Sequence, residues 1–380
     1  MRFRRGVVAG CALGATSGWN FGNLGGIASE LAGAYGVGLA TIGLLTTAMV
    51  MTHLAIQIPG GKASDRFGPA RAGAMALVVL FAGNALALAG PEAGLAVVAR
   101  AIVGVGTGLA FISGSALVRE SGGGPLAQGV SGGVSLAPGG LALAIVPQLE
   151  HALGWQAPYW SSLALALLVL AAVLALAPAA VQPERPPGAR AGVVRDRRLY
   201  PLAILYMASY GIGLVLANWV VELLQRHSTL GDGAAAAVGA LTLVLVVVSR
   251  PLGGWILDAH PELTWQALAA SIVGGTAGTI ALIAADPAWL AVMGALFVGI
   301  GAGIPFSPAF SGAAAARPDA PAAAVGLINT AANLVVLVGT PLVGLTFSLS
   351  GEGRLGFAAL ALLWLAALPV VSRPRTAASP

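Results

Sequence analysis

The chain has 380 residues, of which only 9% are charged and 57% are hydrophobic. Soluble proteins carry about 25% charged residues. With its 54 glycines added, and tyrosine left aside, the apolar set makes up about 70% of the chain, where about 45–50% is usual. Too few polar groups remain to coat a water-facing surface. We therefore exclude a soluble globule and a disordered chain, and infer an integral membrane protein.

Twelve apolar stretches are each long enough to cross a bilayer as a helix, which takes about 20 residues. None alternates apolar and polar residues as barrel strands do, so the predicted fold is all-α. The first stretch follows a basic N-terminus as a secretory signal would, but it lacks an evident cleavage site and eleven more stretches follow it. The predicted spans are 6–29, 38–58, 72–90, 93–118, 126–148, 157–180, 201–223, 234–256, 265–285, 288–315, 322–349 and 354–371.

The basic residues predict how these spans are oriented, because cytoplasmic segments carry an excess of Lys and Arg. With a cytoplasmic N-terminus, fifteen of the 19 Lys and Arg residues fall at the inner surface. Arg226 and Arg354 fall at the outer surface, and Arg100 and Arg250 lie within spans. We expect a multi-pass protein of the cell inner (cytoplasmic) membrane with both termini in the cytoplasm. The net charge of +5 therefore reflects the orientation of the spans and does not indicate a surface that binds nucleic acid.

The longest hydrophilic stretch, 181–199, divides six predicted spans from six. We therefore predict an N-terminal six-helix bundle over 1–180, a cytoplasmic linker over 181–199 and a C-terminal six-helix bundle over 200–380.

The two halves repeat one another at a nearly constant offset. The segment GGKASD at 60–65 aligns with GGWILD at 253–258, an offset of 193 residues. The segment GVGTGLAF at 104–111 aligns with GIGAGIPF at 299–306, an offset of 195 residues. The repeat predicts two pseudo-symmetric bundles, an architecture whose substrate site lies near the bilayer midplane.

At these motifs the chain resembles the major facilitator superfamily, and the resemblance covers essentially all of it. The first motif is the loop signature between spans 2 and 3, which departs from the family at its end, where Pro69-Ala70-Arg71 replaces the usual basic pair. The second is an arginine followed by three glycines in span 4. The matching residues are Gly61, Ala63, Asp65, Arg66, Gly68, Arg100, Gly104, Gly106 and Gly108.

Two shorter segments bear on the branch of the superfamily. The run Gly154-Trp155 after Pro147 resembles the nitrate/nitrite and cyanate-type permeases. The segment APGG at 137–140 matches the antiporter motif only in part, so antiport is not supported.

The resemblance implies an alternating-access transporter in which Asp65 is a gating residue and not a substrate ligand. It implies that this acid docks against the start of helix 11, near Pro321. A carboxylate there would satisfy free N–H groups and the positive end of the helix dipole. The gating motif comprises Gly61, Asp65, Arg66, Gly68, Arg71 and Asp258.

Polar side chains inside the spans predict which helices line a central cavity. An amide in mid-span is costly unless it is buried in protein or faces water. We expect helices 1, 2, 4, 5, 7, 8, 10 and 11 to line the cavity, since helices 3, 6, 9 and 12 contribute only Asn84. Hydrogen bonding between helices is the alternative explanation. The polar residues are Asn20, Asn23, His53, Gln57, Arg100, Gln128, Asn218, Arg250, Asn329 and Asn333.

The charges at this depth predict an anionic substrate. Arg100 and Arg250 lie within spans, whereas no Asp or Glu lies mid-membrane, because Glu30 and Glu222 are at the outer ends of their spans. A buried arginine needs an anionic or strongly dipolar partner. The alternatives are a structural or coupling role for Arg100, and snorkelling or pairing with Asp258 for Arg250. The predicted substrate-binding residues are Arg100, Arg250, Asn20, Tyr210, Asn329 and Asn333.

His53 is the one imidazole inside a span, so it could carry a proton. A histidine that is simply hydrogen-bonded is the alternative.

The predicted function is therefore secondary active or facilitative transport of a small anionic solute, by a monomer in the lipid bilayer, with protons as a further partner. The alternative is a proton-coupled exporter of drugs or neutral metabolites. We predict no enzyme, metal or cofactor, because a nucleophile–base pair or ligand set at span depth is missing from the sequence. ATP-driven pumping is excluded for this chain because it has no Gly-x-x-x-x-Gly-Lys-[Ser/Thr] loop.

Overall fold

The structure, a computed structural model, describes residues 4–177 and 192–371. Most of the predicted linker, residues 181–191, therefore lies outside the described residues. Five basic residues of the orientation argument lie outside them as well: Arg2, Arg185, Arg190, Arg373 and Arg375.

Within the described residues, all regular secondary structure is helical, which confirms the all-α prediction. The helices are α1 (Arg5–Gly22), α2 (Ala28–Tyr35), α3 (Leu39–Phe67), α4 (Pro69–Ala87), α5 (Ala93–Glu120), α6 (Pro125–Val134), α7 (Ala137–Leu153), α8 (Ala157–Leu176), α9 (Tyr200–Tyr206), α10 (Ile212–His227), α11 (Asp232–Ala259), α12 (Thr264–Ala284), α13 (Ala288–Gly303), α14 (Phe306–Ala316), α15 (Pro321–Thr346) and α16 (Arg354–Leu365).

Nine segments of the described chain are long and apolar enough to cross a membrane, and Arg354–Val370 is a shorter apolar helix. One of the nine, Pro125–Leu176, has 52 residues and contains α6, α7 and α8. Twelve spans therefore remains a prediction. The segments are Leu39–Phe67, Pro69–Ala87, Ala93–Glu120, Pro125–Leu176, Arg197–His227, Asp232–Ala259, Pro261–Ala284, Ala288–Ala316 and Pro321–Thr346.

Several predicted spans are broken where the sequence disfavours a continuous helix. Predicted span 5 consists of α6 and α7, with Pro138 in the first turn of α7. Predicted span 10 consists of α13 and α14, with Pro305 between them. Proline lacks the N–H that a continuous helix needs and therefore favours a break at each position. It does not decide the break by itself, since Pro59, Pro147, Pro251 and Pro341 lie inside continuous helices. Gly68, at φ 84°, separates α3 from α4 in a conformation that favours glycine.

The described contacts divide the chain into two compact units. Unit 1 comprises Met1–Gly123, Val130–Val194 and Arg317–Leu327. Unit 2 comprises Gly124–Gly129, Arg195–Ala316 and Ile328–Pro380. Each unit consists mostly of one half of the sequence and also takes in a short segment from the other half. The two six-helix bundles and the linker remain predictions.

In unit 1, glycines of α5 let helix backbones touch. A Cβ added to Gly104 would overlap the Met49 carbonyl oxygen and Thr52 Oγ1 of α3. A Cβ on Gly108 would overlap the His53 carbonyl oxygen. Small residues that permit such approach drive helix association in lipid, where a hydrophobic driving force between helices is missing.

In unit 2, the aligned glycines make the corresponding contacts. A Cβ on Gly299 would overlap Leu245 and the Thr242 carbonyl oxygen of α11, and one on Gly303 would overlap Ser249 and the Val246 carbonyl oxygen. Val246 lies 193 residues after His53, which is the offset read from the sequence. The internal repeat in the sequence therefore corresponds to repeated backbone contacts in the structure.

The α3–α5 contact yields a stability test. Gly104→Ala should lower the free energy of unfolding by roughly 1–3 kcal/mol, the usual cost of overpacking. The added Cβ would meet the backbone of Met49, which cannot rotate away as a side chain can. Gly43→Ala, in the partner helix α3, is the matched control, since a Cβ there meets nothing within 4 Å. The measurement is the melting temperature of each variant in detergent. Equal melting temperatures would contradict the contact.

Candidate functional site

Arg100 of α5 is a fully buried charge with neutral partners. Its side chain is 0% exposed. Nη2 donates to the Asn20 carbonyl oxygen at 2.7 Å and to Met49 Sδ at 2.9 Å, and Nη1 donates to Asn23 Oδ1 at 3.5 Å. Nε has no hydrogen-bond partner among the described residues. Arg100 thus joins α1, α3 and α5, and one of its donors stays available.

The asparagines beside Arg100 form a network that extends to α4 and α8. Asn20 Nδ2 donates to the Thr16 carbonyl oxygen at 2.9 Å, and Asn84 Nδ2 donates to Asn20 Oδ1 at 3.2 Å. Asn23 Nδ2 donates to Ser162 Oγ at 2.9 Å and to the Pro158 carbonyl oxygen at 3.1 Å. The side chains of Asn20 and Asn23 are therefore both hydrogen-bonded within unit 1.

His53 of α3 is hydrogen-bonded at both ring nitrogens. Nδ1 lies 3.0 Å from Thr107 Oγ1, and Nε2 lies 2.7 Å from Gln57 Nε2. The ring also packs edge-on against Phe21, with centroids 5.0 Å apart. The predicted i, i+4 pair of His53 and Gln57 is thus a direct contact.

Arg250 of α11 is 1% exposed and lies among aromatic rings in unit 2. Its guanidinium carbon is 4.3 Å from the Phe306 ring centroid and 5.0 Å from that of Tyr210. Nη2 is 3.5 Å from Tyr206 Oη, and the Tyr206 and Tyr210 rings stack at 5.2 Å. Phe310 also belongs to this group, and its ring centroid lies 4.2 Å from that of Phe306. A cation over ring faces is attracted by the ring quadrupole.

A π-helical turn, Met207–Gly211, joins α9 to α10 and carries Tyr210. Such turns are rare and occur frequently at functional sites. A Cβ on Gly211 would meet the Ala332 carbonyl oxygen, so this turn packs on α15. On α15, Asn333 Nδ2 donates to the Asn329 carbonyl oxygen at 2.8 Å.

Asp65 lies at the end of α3, within unit 1, and binds the first turn of α15. Oδ1 accepts from the Ala322 N–H at 3.1 Å, and Oδ2 accepts from the Ala323 N–H at 3.0 Å. Gly61 permits the approach, because a Cβ there would overlap the backbone of Ala322 and Ala323. The docking that the resemblance implied is present, and its role in gating remains a prediction.

The other members of the gating motif lie near the surface. Arg66, Arg71 and Asp258 are exposed, and Gly68 is half-buried. Gly254, which aligns with Gly61, contacts α6, since its Cβ would overlap the Pro125 carbonyl oxygen.

Sequence reasoning missed several partners. It assigned Asn84 to an outer helix, yet this side chain binds Asn20. It also passed over Met49, Thr107 and Phe306, because a thioether, a hydroxyl and a ring are common in any apolar helix. Their spacing from Arg100, His53 and Arg250 along the chain carries no signal, since these contacts cross between helices.

The buried Asn23 amide generates a second stability test. Asn23→Ala should lower the free energy of unfolding by about 1–3 kcal/mol, because it removes the hydrogen bonds to Ser162 and Pro158 and takes away the acceptor of the buried Arg100 Nη1. Asn218→Ala is the control, since that exposed amide makes a bond of 3.2 Å to Thr340 Oγ1. Melting temperatures of the two purified variants provide the comparison. If the melting temperature of Asn23→Ala falls no further than that of Asn218→Ala, the network is contradicted.

Comparison with known proteins gives a family match and a fold match. The profile of the Major Facilitator Superfamily matches residues 10–340. No curated protein sequence matches the chain.

Three solved structures are similar in fold, each at 15% sequence identity. The human organic anion transporter MFSD10 (TETRAN) has a TM-score of 0.76 and covers 98% of this chain and 100% of its own. The transporter FucP in the outward conformation has a TM-score of 0.75, over 96% of this chain and 97% of its own. An asparagine-to-alanine variant of the E. coli fucose:proton symporter FucP has a TM-score of 0.72 with the same coverage.

Proposed function

The chain belongs to the Major Facilitator Superfamily and is a membrane transporter, and we propose that it carries a small anion, inorganic or a short carboxylate, by alternating access. At 15% identity the solved structures support the fold and leave the substrate open. One of them is described as an organic anion transporter and another as a fucose:proton symporter.

Arg100 carries the proposal. It holds a full positive charge at every relevant pH, and its hydrogen-bond acceptors are a carbonyl, an amide and a thioether. A buried charge is costly unless it is paired, and none of the ion pairs among the described residues involves it. Since Nε is available, a planar anion could take Nε together with Nη1, whose bond to Asn23 is long at 3.5 Å.

Arg250 is the second residue proposed to bind the anion, and its surroundings differ from those of Arg100. The rings of Phe306 and Tyr210 hold its guanidinium by their faces. Contacts of this kind use the face of the guanidinium, whereas its hydrogen bonds lie in the plane, as the contact of Nη2 with Tyr206 Oη does. Tyr210 is half-buried and is proposed to orient the anion. In the same proposal Asn20, Asn329 and Asn333 supply further neutral hydrogen bonds.

The alternative function, proton-coupled export of a drug or neutral metabolite, has one observation in its favour. His53 is buried, and its two nitrogens contact Thr107 and Gln57. A histidine is the side chain best suited to gain and lose a proton near neutral pH. In that function Arg100 would only hold α1, α3 and α5 together.

Binding to arginine variants tests the anion proposal. Arg100→Ala and Arg250→Ala should each abolish binding, and Arg100→Lys should weaken it by about tenfold, because lysine cannot reproduce bidentate geometry. Arg354→Ala, at an exposed position, is the control. The measurement is counterflow of a labelled anion panel in proteoliposomes, followed by equilibrium binding. A neutral or cationic substrate that binds unchanged to both alanine variants would refute the proposal and favour the exporter.

Asp65→Asn tests the proposed gate. It should slow transport while equilibrium binding stays nearly intact, because an amide stabilises the start of α15 less than a carboxylate does, by about 0.3–1 kcal/mol and up to about 2 when partly buried. Glu92→Gln removes an exposed carboxylate elsewhere and should leave the rate unchanged. The uptake rate and the dissociation constant are measured on the same preparations. Full transport by Asp65→Asn would contradict a gating role.

A further inference from the structure

His53, Gln57 and Thr107 form a chain of buried hydrogen bonds in unit 1 that runs in one direction. Gln57 Nε2 lies 2.7 Å from His53 Nε2, and an amide nitrogen only donates, so Nε2 of the ring accepts. Thr107 Oγ1 donates to the Gly104 carbonyl oxygen at 2.9 Å and lies 3.0 Å from His53 Nδ1, so it accepts from that nitrogen. The imidazole is therefore neutral and carries its proton on Nδ1.

The oxygen of the Gln57 amide is left over from this chain. Gln57 is 0% exposed, and its Oε1 has no hydrogen-bond partner among the described residues. A half-turn of the amide would exchange its nitrogen and its oxygen, so that Oε1 would face His53 Nε2. An amide oxygen only accepts, so this orientation requires a proton on Nε2. The orientation of the Gln57 amide and the charge of the His53 ring are thus tied to each other.

The protonated ring would have a partner at each nitrogen. Nδ1 would still donate to Thr107 Oγ1, and Nε2 would donate to Gln57 Oε1. One end of the Gln57 amide lacks a partner in either orientation, so the half-turn loses no hydrogen bond. The bond between amide and ring becomes charge-assisted and therefore stronger. What remains unfavourable is the burial of a charge among neutral acceptors.

Arg100 is the charged group that opposes this proton most. It precedes Thr107 by seven residues on α5, about 10 Å at 1.5 Å per residue. It also binds Met49, which lies one turn before His53 on α3. A positive charge at about 10 Å weakens the binding of a proton roughly tenfold at an effective dielectric constant of about 20. Without a further ligand, His53 therefore stays neutral.

The other ionisable groups on the elements around His53 are farther along the chain. The segment 321–327, which packs on α3, has none. The distances are counted from His53 on α3 and from its ring contacts, Phe21 on α1 and Phe111 on α5. The nearest groups lie eight or more residues away, about 12 Å or more, so none of these elements supplies a negative charge close to the ring. They are Cys11, Lys62, Asp65, Arg119 and Glu120.

An anion bound to Arg100, as proposed above, changes this balance. It neutralises the charge that opposes the proton, so His53 should bind its proton about tenfold more tightly when the anion is present. Linkage is reciprocal, so the proton raises the affinity for the anion by the same factor. A monovalent anion and a proton together bring no net charge into the membrane, where a lone charge is costly.

We propose that the chain is a proton–anion symporter in which His53 binds the proton and Gln57 stabilises it. A proton from solvent adds to the lone pair of His53 Nε2, the hydrogen bond from Gln57 Nε2 breaks, and Gln57 Oε1 accepts the new N–H. Phe21, which packs on the ring, is 38% exposed, so the ring lies one side chain from the surface. A proton needs no cavity there. The proposal rests on the proposed anion transport and names its coupling ion.

Proton uptake per anion in proteoliposomes tests the proposal. The anions are labelled nitrate, sulfate and oxalate, which do not cross a bilayer as neutral acids, and a pH-sensitive dye inside the vesicles reports the protons. The wild type should take up about one proton per anion, since a single imidazole titrates. His53→Gln should abolish the proton uptake. His151→Gln removes an exposed imidazole as the control and should keep the ratio of the wild type.

The pH profile of uptake tests the role of Gln57. Gln57→Met removes both polar ends of the amide at a similar length. The pH of half-maximal uptake should move down by about one unit, because the protonated ring loses a charge-assisted hydrogen bond and the neutral ring loses only an ordinary one. Gln266→Met, at an exposed glutamine, is the control and should leave the profile unchanged. An unchanged profile in Gln57→Met would overturn the role of the amide.

The outcomes separate this proposal from the proposed function. If no anion shows counterflow, the anion proposal fails and the coupling fails with it. If the wild type takes up an anion without protons, the coupling fails and the anion proposal stands. Proton uptake that persists in His53→Gln overturns the assignment to His53. The ratio in the wild type decides the coupling even where a variant does not fold.

Discussion

Close approach of helix backbones at glycine is the contact on which the described structure depends. Gly104 and Gly108 bring α5 onto α3, and Gly299 and Gly303 bring α13 onto α11. In a bilayer each helix satisfies its own backbone hydrogen bonds, so helix packing has to come from van der Waals contact and a few polar bonds. A glycine provides both, because it lets backbone atoms touch and exposes carbonyl oxygens to neighbouring side chains.

The same contacts position both buried arginines. Gly104 is one turn after Arg100 and holds α5 against Met49, whose sulfur then accepts from Arg100 Nη2. In unit 2, Ser249 Oγ donates to the Gly299 carbonyl oxygen at 3.2 Å, and Arg250 is the next residue. A close contact between two helices therefore lies beside each of the two arginines.

The two arginines nevertheless have different partners, although both occur in repeated surroundings. Position 250 aligns with Gln57, at the offset of 193 residues. Gln57 contacts His53, whereas Arg250 lies on Phe306 and Tyr210. Duplication thus preserved the backbone contacts, and the side chains at equivalent positions diverged. Function resides in these side chains, since a fold by itself is compatible with many substrates.

The sequence by itself determined the fold class, the membrane setting, the repeat and the placement of the two arginines within long apolar segments. These properties follow from the order of residues along the chain, because neither the transfer of an apolar stretch into lipid nor the offset between two motifs depends on which side chains meet in the fold. The docking of Asp65 on α15 was also foreseen, from the resemblance of its motif. Tertiary structure alone decided that Asn20 binds Asn84, that Phe306 and Tyr210 flank Arg250, and that α6 and α7 are separate helices. Those outcomes depend on how each helix is rotated toward its neighbours, and that rotation is set by packing between residues far apart in the chain.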